Sequence, residues 1–134
     1  MNAFRLKIVS PDGLIFDGQA QQLTVRTTSG EMGILAGHIP CVAPLGMGRA
    51  TVVLEGETRY AACIGGMVSV TSQLVTLVAT TFEWAENIDT LRAKLSQERA
   101  EAILARKENS DTDVQLAQAR LRRALVRQSV ASTK

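Results

Sequence analysis

Apolar and polar residues alternate in short segments along the chain as far as Val78. Residues 4–8 (FRLKI) and 23–27 (LTVRT) show the period of two that is typical of half-buried β-strands, and residues 10–13 (SPDG) supply a turn after the first of them. The same alternation around short turns predicts two hairpins, residues 50–54 with 58–62 and residues 67–70 with 74–78. Many short strands separated by turns predict an antiparallel β-sandwich or barrel.

In the last third of the chain the apolar residues recur at helical spacing instead. One series consists of Ile88, Leu91, Leu95 and Ala102, with Ile103 at its edge. A second, heptad-like series consists of Val114, Ala117, Leu121, Ala124 and Gln128. The two series predict a helical hairpin. Because alanine buries little apolar area, we expect the two helices to be held together only weakly.

Polar residues mark the predicted beginnings of both helices. Asn87 is the predicted N-cap of the first helix, with Asp89 in the first turn, where a carboxylate suits the helix dipole. Residues 109–113 (NSDTD) form a polar break, in which Ser110 and Asp113 approximate a capping box for the second helix.

Glycine and proline are confined to one part of the chain. All ten glycines and all three prolines lie between Pro11 and Gly66. This change in composition predicts an α+β protein with two units, a β domain at residues 1–84 and a helical hairpin at residues 85–134.

Positive charge is concentrated in the second predicted helix. From Val114 onward there is no acidic residue, and the basic residues are Arg120, Arg122, Arg123, Arg127 and Lys134. This series is either a solvated face that pairs with acidic residues of the first helix or a surface that binds an acidic partner. The formal net charge of the whole chain is only +2, which does not by itself indicate a nucleic-acid or membrane partner.

Residue patterns that would build a catalytic or metal site are missing. His38 is the single histidine, so no histidine-rich metal centre is expected. A phosphate-binding loop, a nucleophile elbow and a dinucleotide fingerprint are all absent. Cys41 and Cys63 lie in apolar strand-like segments, which predicts reduced, buried thiols in a cytosolic compartment, and no segment has the length and apolarity of a signal peptide or membrane span. We therefore expect a binding or regulatory protein rather than an enzyme.

Residues 30–40 (GEMGILAGHIP) combine three glycines, the histidine and a proline, which predicts a tight loop that serves as a contact surface or a strand crossover. This segment resembles part of the ε subunit of bacterial rotary ATP synthases. Four further segments resemble the same family, residues 6–13 (LKIVSPDG), 16–18 (FDG), 65–70 (GGMVSV) and 88–93 (IDTLRA). Their order and spacing extend the resemblance over essentially the whole chain.

The resemblance implies a sandwich of about ten strands followed by a regulatory hairpin, in a subunit that is not catalytic by itself. It implies binding to the γ subunit and to the ring of membrane c subunits, which couples proton flow to ATP synthesis. It also implies a state in which the extended hairpin contacts the catalytic α/β head and inhibits ATP hydrolysis. The subunit is then expected at the cytoplasmic face of the bacterial inner membrane, held there only by its partners.

Three sets of residues are predicted to carry these roles. The rotor interface is expected at Gly30, Glu31, Gly33, Gly37, His38 and Pro40. ATP, as a regulatory ligand, is expected at Ile88, Asp89, Arg92, Ala93 and Arg99. Inhibitory contacts are expected at Arg120, Arg122, Arg123 and Arg127. No other cofactor and no metal ion is expected.

An alternative from another functional class is a stand-alone adaptor that uses the β domain as a scaffold and the basic helix for nucleic acid. This alternative predicts retention on nucleic acid that weakens steeply with salt. The synthase interpretation predicts a stoichiometric γ partner and no nucleic acid.

Overall fold

Eight β-strands precede two α-helices in the computed structural model, which describes residues 2–106 and 110–132. The strands are β1 (Phe4–Ser10), β2 (Gly13–Ala20), β3 (Gln22–Thr27), β4 (Gly30–Leu35), β5 (Cys41–Pro44), β6 (Met47–Leu54), β7 (Glu57–Val70) and β8 (Val75–Trp84). A 3₁₀ turn at Ala85–Asn87 leads to α1 (Thr90–Leu104) and then α2 (Asp111–Ala131). Of the residues singled out above, Asn109 and Lys134 lie outside the described part.

The strands are hydrogen-bonded in the order β2-β1-β8-β7-β6-β3-β4, and β5 pairs with β7. Both predicted hairpins are confirmed: Leu54 pairs with Glu57 across the first turn and Val70 with Val75 across the second. The pairing is antiparallel except between β1 and β8, which run parallel. The predicted antiparallel sandwich is thus confirmed, and β1 with β8 is the one parallel pair among the described strands, joining strands from opposite ends of the domain.

The sheet folds over on itself as a two-layer sandwich. Its main core is built from strand residues, with Leu45 and Trp84 at its margins, and contains no residue of α1 or α2. Leu6, Leu23 and Leu77, from β1, β3 and β8, are all fully buried in this one cluster. Since no helix covers these side chains, one half of the sheet must cover the other.

The described part has eight strands rather than about ten, and one long strand, β7, serves two neighbours. It is fourteen residues long, and it pairs first with β6 and then with β5. Gly65 and Gly66 lie at the change, with φ angles of +72° and +113°. A Cβ atom on Gly66 would overlap the carbonyl oxygen of Val78 in β8. Only glycine permits this backbone conformation and this close approach, so the bend in the long strand depends on it.

The prediction of a tight loop over residues 30–40 is correct for only part of this segment. Its first six residues form β4, which pairs with β3 at the end of the strand order. Only residues 36–40 leave the ladder, and Gly37 there has a φ of +84°. The alternation of Met32 and Ile34 toward the core overrides the glycines, because strand pairing and burial outweigh local backbone freedom.

The two helix beginnings differ from each other in how well they were predicted. Asp89, not Asn87, is the N-cap of α1, and its carboxylate accepts a hydrogen bond from the Arg92 backbone N–H at 3.0 Å. Asn87 belongs to the preceding 3₁₀ turn. At α2 the prediction is confirmed: the Ser110 hydroxyl accepts from the Asp113 backbone N–H at 3.2 Å.

The helix seam is made of alanine on both sides. In α2 the predicted series is confirmed, with Ala117 and Ala124 fully buried. In α1 the prediction is wrong: Ala93 and Ala100 are buried, whereas Leu91 is 68% exposed. The small alanine side chains let the two helix backbones approach closely, which leaves Leu91 and Leu95 on the outer side of α1.

A second, smaller apolar cluster joins the hairpin to the sandwich. Val130 and Ala131 from the end of α2 pack with Ala62, Ala85 and Ile88. The Arg127 Nε atom also donates a hydrogen bond to the Glu83 carboxylate of β8 at 2.6 Å. The hairpin thus docks through contacts that are separate from the main core.

Candidate functional site

A charged cleft of about 600 Å³ lies where β8 and the β1–β2 turn meet the hairpin. Its cationic residues are Arg92 from α1 and Arg120, Arg123 and Arg127 from α2, and its acidic residues are Asp12, Glu83 and Asp89. Ser10, Thr80 and Ser96 add hydroxyl groups to the wall. The cleft therefore combines four guanidinium groups with three carboxylates and several hydroxyls.

The acidic groups in the cleft are partly committed to structural contacts. Glu83 pairs with Arg127, and both side chains are about one-third exposed or less. Asp89 caps α1. In the described residues, Arg92, Arg120 and Arg123 have no side-chain ion pair. Three unpaired guanidinium groups around one cleft favour binding of a multiply charged anion such as a polyphosphate.

The structure brings together only part of the predicted ATP set. Asp89, Arg92 and Ala93 line the cleft. Ile88 is buried in the apolar cluster beneath the hairpin, and Arg99 is exposed outside the cleft lining. Arg99 therefore does not share the cleft lining with Arg92. The heptad spacing of Arg92 and Arg99 puts them about 10 Å apart along α1, and only Arg92 is level with the cleft.

The predicted inhibitory arginines fall into two groups. Arg120 and Arg123 line the cleft, and Arg122 is exposed outside it. Arg127 is not available in this docked state, because its guanidinium is paired with Glu83. The sequence pattern did not reveal this pair, since its two residues are 44 positions apart.

The predicted rotor residues extend along an edge of the sandwich rather than forming one patch. Gly30, Glu31 and Gly33 belong to β4, and Glu31 and Gly33 are exposed. Gly37, His38 and Pro40 follow the other end of that strand, and the His38 Nδ1 atom lies 2.7 Å from the Ile39 carbonyl oxygen. His38 borders a second cleft of about 300 Å³, which the turn between β7 and β8 also lines. Glu31 and His38 thus lie near opposite ends of the strand.

A row of outward-facing apolar residues, which the sequence analysis did not predict, crosses five strands of the sheet. Pro44 pairs with Met67, Met67 with Val78, Val78 with Val9, and Val9 with Leu14. Leu14 is 61% exposed, and Met67 and Val78 are 48% exposed. We call these five residues the apolar row. A continuous exposed apolar strip on a sheet face marks an interaction surface.

The sequence contains the apolar residues of the apolar row but does not show that they lie side by side. Val9 follows Ile8, and Val78 follows Leu77, so both faces of β1 and β8 carry an aliphatic residue at these points. A strand that is apolar on both faces is covered on both faces. Only the strand pairing shows that the outward residues line up.

Other chemistry is sparse in the described residues. No group of three or more histidine, cysteine, aspartate or glutamate side chains is arranged there to hold a metal ion. Burial raises the pKa of the Cys63 thiol to about 12, so this thiol is protonated and unreactive at neutral pH. Within the described ranges, no helix is long and apolar enough to cross a membrane.

Comparison with known proteins agrees with this architecture over nearly all of the chain. The family model "ATP synthase, Delta/Epsilon chain, beta-sandwich domain" matches residues 3–85, and "ATP synthase, Delta/Epsilon chain, long alpha-helix domain" matches residues 86–132. The chain belongs to the ATP synthase delta/epsilon chain family. It is an epsilon-type subunit of the ATP synthase central stalk and is not catalytic by itself.

Individual relatives span the same length. The ATP synthase epsilon chain of Bacillus velezensis is 42% identical over 98% of this chain and 98% of its own length. The epsilon chain of Ruminococcus albus is 40% identical over the full length of both. A chain in the structure of the Euglena gracilis mitochondrial ATP synthase shares the fold, with a TM-score of 0.83 at 24% identity, over 98% of this chain and 82% of that one. This epsilon-type subunit therefore shares its sandwich-plus-helices plan with the family.

Proposed function

We propose that this epsilon-type subunit binds the γ subunit through the apolar row, contacts the c-ring, and so couples proton flow to ATP synthesis. The hairpin is its regulatory element, which leaves the sandwich to inhibit ATP hydrolysis at the α/β head. The subunit then works at the cytoplasmic face of the inner membrane through these partners and without nucleic acid. The observation that carries the γ contact is the apolar row.

The apolar row supports binding of a protein partner, because exposure of its apolar side chains to water is unfavourable. Its members come from five adjacent strands, so they form a strip rather than scattered exposed residues. Val42 on β5 adds to the same region and is 60% exposed. Burying such a strip yields roughly 25 cal/mol per Å² of apolar surface, the main driving force of stable association.

The γ contact is tested by placing one charge in the apolar row. Met67→Glu should abolish capture of purified γ by the full chain, while its thermal unfolding stays close to that of the wild type because Met67 is half exposed. Leu91→Glu, on the outer side of α1, is the matched control and should bind γ normally. Normal γ binding by Met67→Glu would exclude the apolar row as the γ contact.

The contact with the c-ring is proposed for the ends of β4. Glu31→Ala and His38→Ala should weaken ATP-driven proton pumping by the assembled synthase without lowering the thermal stability of the subunit. If both variants couple normally, these residues have no role beyond the fold.

Inhibition is proposed to depend on the α2 arginines in the released hairpin. In that state acidic residues of the α/β head can pair with Arg120, Arg122, Arg123 and Arg127. Such charge pairs would orient the released hairpin on the head and make its binding specific. Changing Arg120, Arg122 and Arg123 to Glu, and leaving the Arg127–Glu83 pair intact, should relieve inhibition of ATP hydrolysis in the assembled synthase. Undiminished inhibition would assign the effect to steric insertion alone.

ATP binding to the charged cleft is proposed to oppose release of the hairpin from the sandwich. Arg92, Arg120 and Arg123 come from both helices, so a polyphosphate held among them would stabilise the docked hairpin. Asp89 and Ala93 border this position, whereas Ile88 supports the site from beneath and Arg99 lies outside it. Equilibrium titration of the chain with ATP should show saturation that Arg92→Ala removes and Arg99→Ala retains. Equal ATP binding by these two variants would place the nucleotide elsewhere.

A further inference from the structure

Release of the hairpin requires a pivot, and the contacts around Trp84 restrict where it can be. Trp84 ends β8, pairs with Ala61 of β7, and is only 8% exposed. Its ring meets Phe82 and Phe16 edge to face, with centroid distances of 5.0 and 6.4 Å. The tryptophan is therefore part of the sandwich and not of the hairpin.

Arg59 of β7 extends this attachment into the 3₁₀ turn. Its guanidinium carbon lies 3.7 Å from the Trp84 ring centroid, which is a close cation–π contact. The same guanidinium donates a hydrogen bond from Nη2 to the Glu86 carboxylate at 2.6 Å. One side chain on the sandwich thus holds both Trp84 and Glu86.

The attachment ends directly after Glu86. Asn87 is exposed, and Ile88 lies in the small cluster that also contains Ala85, Ala62 of β7, and Val130 and Ala131 of α2, rather than in the main core. The backbone hydrogen bond that joins the two sides, from the Ile88 N–H to the Ala85 carbonyl, is long at 3.3 Å. Within the 3₁₀ turn, Glu86 is thus the last described residue with a side-chain ion pair to the sandwich, and the exposed Asn87 follows it.

We propose that Arg59 is a clamp that keeps Trp84–Glu86 on the sandwich when the hairpin opens, so that the chain pivots at Asn87. The inference rests on the hairpin release proposed above. Because the clamp contacts are made in both the docked and the open state, their energy cancels from the opening equilibrium. The clamp acts instead by limiting the conformational freedom that the junction gains on opening. Its removal should favour the open state, since freeing the backbone of a single residue corresponds to about tenfold in an equilibrium constant.

The test uses two measurements on the full chain. Arg122 is exposed in the docked state too, but trypsin cleaves backbone that has left its helix, so cleavage after Arg122 under native conditions reports opening and fraying of the hairpin. Acrylamide quenching of fluorescence from Trp84, the sole tryptophan, reports the clamp. Arg127→Glu breaks the pair with Glu83, so cleavage should rise about fivefold while Trp84 quenching stays at the wild-type value.

Removing the clamp should change both measurements. Arg59→Met should raise cleavage about tenfold and should also raise the quenching constant, because one face of the ring loses its cover. Glu86→Gln, a milder change that keeps the side-chain length but removes the charge that pairs with Arg59, should raise cleavage by a smaller factor. Arg49→Met is the matched control, since Arg49 lies 5.1 Å from the centroid of a different aromatic ring, that of Tyr60, and it should change neither measurement.

Two results would overturn the clamp. One is a rise of Trp84 quenching in Arg127→Glu in parallel with cleavage, which would place the pivot at or before Trp84. The other is wild-type cleavage in both Arg59→Met and Glu86→Gln. The proposed inhibition is measured separately as ATP hydrolysis by the assembled synthase, so its failure would leave these results on the isolated chain unaffected.

Discussion

Val130 lies at the apolar contact through which the hairpin docks on the sandwich. It is 1% exposed at the end of α2 and packs between the hairpin and the sandwich, outside the main core. Val130→Ala removes two methyl groups, each worth about 0.8 kcal/mol when fully buried, so docking should weaken by about 1.6 kcal/mol. The fraction of molecules with an open hairpin should therefore rise about 15-fold.

Amide hydrogen exchange read by mass spectrometry measures this change by segment. Amides of α2 should exchange about 15-fold faster, because a helix held by an alanine seam and the Gln128–Gln97 hydrogen bond across it frays once it leaves the sandwich. Amides of β1 and β8 should keep their wild-type rates. In the assembled synthase, the larger open fraction should deepen inhibition of ATP hydrolysis.

Leu116→Ala is the matched control for this prediction. Leu116 lies on the same helix and loses more side-chain atoms on substitution, but it is 51% exposed. Its variant should exchange at nearly the wild-type rate. Equal acceleration in the sandwich and in α2 of Val130→Ala would refute the reasoning, because the hairpin would then not open as a separate unit. An unchanged rate in α2 would show that the small cluster does not hold it.

Three further predictions concern stability and reactivity. Gly66→Ala should lower the free energy of unfolding by about 3 kcal/mol or more, because its Cβ would overlap a β8 carbonyl oxygen. Gly33→Ala, with open space around it, should leave that free energy nearly unchanged. Similar midpoints of urea denaturation for the two variants would contradict this prediction. Cys63 should resist a thiol reagent at pH 8 while the half-buried Cys41 reacts, and rapid labelling of both thiols in the folded chain would show that Cys63 is accessible. The free energy of unfolding should fall between pH 9 and about 12, because the Cys63 thiol ionises in the unfolded chain but not in the folded one. Asp89→Ala should lower the free energy of unfolding by about 1 kcal/mol and speed amide exchange in the first turn of α1. An unchanged exchange rate there would mean that water replaces the cap.

Much of the secondary structure follows from the sequence because its causes are local. The turn around Gly56, which has a φ of +81°, joins β6 and β7 where the alternation indicates. Ser110 begins α2 by bonding a backbone group three residues away. Contacts of this kind lie within one turn of the chain, so residue type and spacing are sufficient to predict them.

Where local preference and packing disagreed, packing decided. A leucine series in α1 indicates an apolar face, yet Ala93 and Ala100 face α2 because close helix approach favours the smallest side chain. In the same way, pairing with β3 extends Gly30 and Gly33 into a strand.

The sequence by itself determined the two-part plan, the turns, the cap of α2 and the family to which the chain belongs. Only the tertiary structure decided what could serve as a binding surface. The apolar row depends on the register of five strands, including the parallel pair of β1 with β8. The charged cleft joins Arg92 to Arg123 and Arg127 from the other helix, and the clamp joins Arg59 to Trp84. These residues are distant in the chain, and their positions relative to one another are set by cross-strand pairing and helix docking, which no local pattern encodes.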